Sequence, residues 1–122
     1  MKQEDFEMLV AEALENLPEN IQKKMENVAI IVQENPTAEQ LKQTGVRQGS
    51  LLLGLYEGIP QTAWGRGFGG NLPDKITIFQ SPIEQFAFNP EEIKKLVKNT
   101  VIHEIAHHFG FDEKGAQRVA RK

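Results

Sequence analysis

A chain of 122 residues is the length of one domain, and folding it would bury roughly two thirds of the surface exposed when unfolded. Its 39% hydrophobic and 25% charged residues are those of an ordinary globular protein, and a net charge of −3 supplies no field that would hold nucleic acid or anionic lipid. With no cysteine, disulfides and thiolate metal sites are excluded, and stability must come from packing. The first residues, MKQEDFEMLVAEALENLP, mix acidic and apolar positions with helical period and lack the apolar core of a secretory signal. No stretch approaches the ~20 apolar residues needed to cross a bilayer. The expectation is a single domain over residues 1–122, cytoplasmic, with neither nucleic acid nor membrane as partner.

Phe6, Leu9, Val10, Ala13, Leu14 and Leu17 recur at i, i+3, i+4 spacing and predict a helix with one buried stripe, ended by Pro18. Residues Pro18 to Glu26 suit a second short helix. Val28-Ala29-Ile30-Ile31-Val32 reads as a buried strand closed by Asn35-Pro36, and Thr37 to Gln43 as one or two helical turns. Leu51 to Tyr56 predicts a second strand stopped by Gly58 and Pro60, followed by loop as far as Pro73. Lys75 to Gln80 alternates as a third strand. Asn89 can cap the last long helix, Pro90 suits its first position, and Glu92 completes a capping-box variant. Ile93, Leu96, Val97, Thr100 and Val101 supply its core stripe, Gly110 its end, and Asp112 a cap for a short terminal helix through Arg121. Three strands interleaved with helices point to a small mixed sheet in an α+β domain.

All three histidines fall within His103-Glu104-Ile105-Ala106-His107-His108, inside that long helix. Histidines four apart stand one turn above each other, so both imidazoles of His103 and His107 can reach one cation. Glu104 is set a step round, where a carboxylate can take a proton from a water acidified by zinc. This H-E-x-x-H spacing makes a metal-dependent hydrolase the leading expectation. Catalytic zinc takes three protein ligands, and after His107 the acidic residues are Asp112 and Glu113. Glu113 lies three beyond Gly110, and a left-handed glycine there would fold the chain back toward the metal, so Glu113 is the expected third ligand. Asp112 competes for the role, with a helix cap as its other explanation. His108 sits roughly 140° round the helix from His103, so packing or orienting a neighbour suits it better than ligation.

Gly65, Gly67 and Gly70 match the spacing of a dinucleotide fingerprint but precede Pro73 and a strand rather than opening a helix, which argues against nucleotide binding. The segment Trp64 to Phe68 fits an exposed loop or a mobile rim over a cleft. Tyr56 fits a packing role, or oxyanion stabilisation if its strand end faces the metal.

Gly54-Leu55-Tyr56-Glu57-Gly58-Ile59-Pro60, Leu72-Pro73-Asp74-Lys75-Ile76-Thr77-Ile78-Phe79 and His103-Glu104-Ile105-Ala106-His107-His108-Phe109-Gly110 together resemble the minimal zincins, small bacterial zinc metallopeptidases. The likeness covers about residues 27 to 115. It implies a compact mixed sheet packed on helices, with one zinc at the active-site helix. That family usually places aspartate where this chain has Glu113. Larger metzincins carry a methionine turn downstream of the zinc motif, whereas Met1, Met8 and Met25 all lie upstream here. The resulting expectation is a zinc peptidase holding one Zn²⁺ through His103, His107 and Glu113, with Glu104 as general base. Its substrate would be a peptide or protein, added as an extended strand along an exposed sheet edge such as Lys75 to Gln80. The alternative is a zinc-binding adaptor or regulatory module without proteolytic activity.

Overall fold

The computed structural model describes residues 1–44, 51–58 and 72–110. In chain order the elements are α1 (Gln3–Glu15), α2 (Glu19–Lys24), β1 (Val28–Gln33), α3 (Ala38–Thr44), β2 (Gly54–Glu57), β3 (Asp74–Phe79), α4 (Gln80–Phe86) and α5 (Pro90–Phe109). The architecture is the expected α+β fold. Its sheet has the order β1-β3-β2, with β1 parallel and β2 antiparallel to β3.

The apolar periodicity explains how the layers meet. On α1, Phe6, Val10 and Ala13 are buried with Leu17 just beyond the helix, and the stripe packs against α5. On α5, Ile93, Val97, Val101, Ile102, Ile105 and Ala106 are buried in the same cluster. From the sheet, β3 contributes Ile76 and Ile78, both inaccessible to solvent, flanked in register by Ile30 and Val32 of β1. Strand side chains alternate between faces, so the even-numbered residues of all three strands share the helix-facing side. Each large apolar side chain buried there contributes about 1.5–3 kcal/mol relative to exposure.

Several boundaries differ from the sequence expectation. The apolar run at Leu51 suggested a strand three residues too early: pairing over the ladder begins at Gly54. Gln80 is not the end of β3 but the first residue of α4, a helix that hydrophobic periodicity did not reveal. The short helix after Asn35-Pro36 forms as expected, held by a reciprocal cap. The Gln40 amide donates to Thr37 Oγ1 (3.1 Å) and the Thr37 amide to Gln40 Oε1 (2.9 Å). One expectation is overturned outright. β3 is not an exposed edge, because β1 and β2 pair with its two sides, so its backbone offers no row of open groups to an incoming strand. The suggested terminal helix after Asp112 lies outside the described residues.

Candidate metal centre

The site is organised by α5, whose start is fixed as the sequence indicates. Asn89 Oδ1 accepts from the Glu92 amide (2.9 Å), Asn89 Nδ2 donates to Glu92 Oε1 (2.8 Å), and Pro90 occupies the first turn. At the far end Gly110 takes the left-handed conformation, φ 79°, and its N–H donates to the Ala106 carbonyl. Between these ends the helix carries two neighbouring stripes. Thr100, Glu104 and His108, spaced by four, face β2. His103 and His107, one residue before each of the last two, lie about 100° away around the axis.

Contact with β2 begins at Gly54. A Cβ there would stand 2.7 Å from Thr100 Cγ2 and 3.2 Å from the Thr77 carbonyl oxygen, so the absence of a side chain lets the strand lie against the helix. The Phe79 amide donates to the Leu53 carbonyl (3.0 Å). Antiparallel alternation then turns the backbone groups of Leu53, Leu55 and Glu57 toward β3 and those of Gly54 and Tyr56 toward the outer edge. The outward Tyr56 N–H donates to Glu104 Oε1 at 2.9 Å. Among the described residues, Glu104 Oε2 makes no hydrogen bond. Glu104 is therefore half-buried and held by one oxygen, with the other available for chemistry.

One turn further along, the His108 ring stacks on the Tyr56 ring, with centroids 3.9 Å apart and planes inclined by 16°. The Tyr56 hydroxyl donates to Asp74 Oδ2 at 2.7 Å, and His108 Nε2 stands 3.9 Å from the same oxygen. Burial, then the hydrogen bond to the Asp74 carboxylate and its negative charge, raises the Tyr56 phenol well above its ordinary range. The phenol consequently stays protonated as a donor. Phe109 closes the cluster edge-on to both rings, with Lys24 Nζ 5.0 Å from its ring centre.

The second stripe presents His103 and His107, both exposed, with ring centroids 4.3 Å apart and planes inclined by 45°. Two imidazoles one turn apart on an accessible helix face are a donor pair of the kind zinc takes, so their chemistry fits that ion. Among the described residues no group of three or more histidine, aspartate or glutamate side chains is disposed to hold a metal, and a complete ligand set requires a further side chain.

The structure thus brings His103, Glu104 and His107 onto one end of α5, as the motif indicates. Glu113 and Asp112 lie outside the described residues, as do Gly65, Gly67, Gly70 and the segment Trp64 to Phe68. Tyr56 does reach the site, but by its backbone N–H: its hydroxyl is directed to Asp74 rather than toward an oxyanion. Asp74 carried no sequence signal, because its proximity to Tyr56 and His108 depends on strand register. Among the described residues, no helix is long and apolar enough to cross a membrane.

Comparison with known proteins bears on the fold and the family. A conserved hypothetical protein from Thermo thermophilus has a similar structure, with a TM-score of 0.57 and 24% sequence identity, covering 89% of this chain and 94% of that one. That likeness speaks for a shared fold. No curated protein matches the sequence. A family model for zincin-like metallopeptidases matches residues 25–121, a span that includes β1, β2, β3 and the whole of α5. The chain belongs to the zincin-like metallopeptidase family.

Proposed function

We propose that the protein is a zinc-dependent peptidase in which His103, His107 and Glu113 hold one Zn²⁺ and Glu104 is the general base. The observation that carries this reading is the carriage of Glu104. One carboxylate oxygen is tied to the Tyr56 amide at 2.9 Å, on the same helix end as two exposed imidazoles. Family membership supports peptide-bond hydrolysis as the reaction class.

When bound, the ion would supply Lewis acidity, lowering the pKa of a water and polarising a substrate carbonyl. The protein's own part is proton handling and placement. Glu104 Oε2 takes a proton from the attacking water and passes it to the amide nitrogen as the C–N bond breaks, so that acid and amine products balance the water consumed. Fixing Oε1 removes rotameric freedom from the base before substrate arrives. The outer edge of β2, beside Glu104, faces no other strand among the described residues. Extended peptides or protein segments are accordingly the favoured substrates, adding along that edge rather than along β3.

The test compares zinc-loaded protein with its Glu104→Gln variant on a mixed peptide pool, with zinc content measured in both. Cleavage by the first, lost in the second at unchanged zinc, is the expected result. Equal cleavage by both would remove Glu104 from the mechanism, and no cleavage by either at full zinc occupancy would favour a zinc-binding adaptor or regulatory module.

A further inference from the structure

The two ends of the Tyr56 residue are gripped by two residues of α5 that lie four apart. Glu104 takes its backbone N–H, and His108 takes the face of its ring. Asp74, on the neighbouring strand, takes the hydroxyl at 2.7 Å and faces His108 Nε2 at 3.9 Å. Tyr56 is therefore held at its amide, its ring face and its hydroxyl, and the first of these holds is the carboxylate assigned above as general base. We propose that His108 and Asp74 are positioning residues that set the Glu104 carboxylate through Tyr56, a role that rests on the reading of Glu104 as the base.

The geometry of β2 makes these holds necessary. Tyr56 lies in this four-residue strand, which among the described residues is paired on one side only. Its ladder bonds come from Leu53, Leu55 and Glu57, whose groups point to β3, so that pairing does not by itself fix the height of the outward Tyr56 N–H above α5. The aromatic stack and the hydroxyl bond supply that missing constraint. They come from different elements, since His108 belongs to the helix and Asp74 to the sheet, and together they hold the strand to the helix at the turn following Glu104. Removing the His108 ring would leave Tyr56 free to tilt about its hydroxyl, lengthening the bond from its N–H to Glu104 Oε1 while leaving His103 and His107 on their own stripe.

The test reads the Tyr56 amide directly. In isotope-labelled full-length protein, Glu104→Gln identifies how the Tyr56 N–H resonance moves when its acceptor is altered. His108→Ala should move the same resonance and speed its hydrogen exchange by about tenfold or more, while the buried Val97 amide in α5 exchanges as before. His108→Phe, which keeps a stacking ring, should restore at least half of that protection, and Tyr56→Phe, which removes only the hydroxyl, should give an intermediate effect. In peptide cleavage these variants should lower kcat at unchanged KM and unchanged zinc content. A Tyr56 amide indistinguishable from wild type in both His108→Ala and Tyr56→Phe would overturn the positioning role. So would an equal rise in exchange at Val97, which would mean general loosening. If the unmodified protein cleaves nothing, the peptidase reading fails independently, and the amide measurements still decide whether the cluster holds Glu104.

Discussion

Replacing Gly54 by alanine tests how β2 is seated on α5. The added Cβ would meet Thr100 Cγ2 at 2.7 Å and the Thr77 carbonyl oxygen at 3.2 Å. The first approach is too short for any carbon pair, and its relief requires the strand to lift or Thr100 to move. Thr100 is buried and its hydroxyl donates to the Leu96 carbonyl at 2.8 Å, so rotating the side chain sacrifices that bond. Overpacking of this kind costs about 1–3 kcal/mol. Alanine opposes that cost by about 0.4–1 kcal/mol through the stiffer unfolded chain. The expected net loss is therefore about 1–2 kcal/mol, or a fall in Tm of several degrees, on the order of 4 °C per kcal/mol at this chain length. Thr100→Ser deletes the clashing methyl and keeps the hydroxyl. The double variant should recover about 1 kcal/mol beyond additivity, read by urea denaturation in a double-mutant cycle. Alanine tolerated without loss, or a cycle with no coupling, would refute the close strand-to-helix contact on which the placement of Tyr56 depends.

Three other outcomes follow from the same geometry. Tyr56 is the only tyrosine, so ultraviolet absorbance of phenolate reads it alone. The folded protein should titrate above the ordinary value near 10, and Asp74→Asn should lower it only in part because burial remains. The sign for stability follows: the contribution is full below the unfolded pKa and is lost as pH rises through the folded one, so alkaline unfolding should begin above about pH 10. A folded-state titration at the free-tyrosine value would contradict the Tyr56 to Asp74 bond. Asn89→Ala should cost about 1 kcal/mol by chemical denaturation through loss of the α5 cap, and no loss would mean that the cap is redundant. Glu113→Ala should weaken zinc binding in competition titrations with a chromogenic chelator, and unchanged affinity would move the third ligand elsewhere.

Much of this arrangement is legible in the sequence because it is local. The stripe from Phe6 to Leu17, the capping of α5 by Asn89 with Glu92, its end at Gly110 and the pairing of His103 with His107 each rest on helical period or terminal chemistry within a few residues. Val28 to Val32 and Lys75 to Phe79 announce strands by β-branched content and alternation. The rest depends on contacts between distant residues. The central position of β3 follows from how β1 and β2 choose their partners, which no strand pattern states. The start of β2 at Gly54 follows from its register with Ile78 of β3, and its close seating from the meeting with Thr100, neither of which the apolar run at Leu51 states. Helix α4 is short, with Pro82 in its first turn and Gln80, Pro82 and Ile83 buried, so tertiary packing rather than an amphipathic stripe sustains it. The bond from Tyr56 to Glu104 joins residues 48 apart in sequence, and the Asp74 contact requires the β2-to-β3 register; neither leaves a local signature.

The most direct test is the metal content of protein purified without chelator or a metal-affinity step, measured by elemental analysis beside a His107→Ala variant. One zinc per chain, lost in the variant, is the predicted result. A protein that takes up no zinc even when the ion is added back would contradict the assignment of the α5 imidazoles as a metal site, and with it the hydrolase.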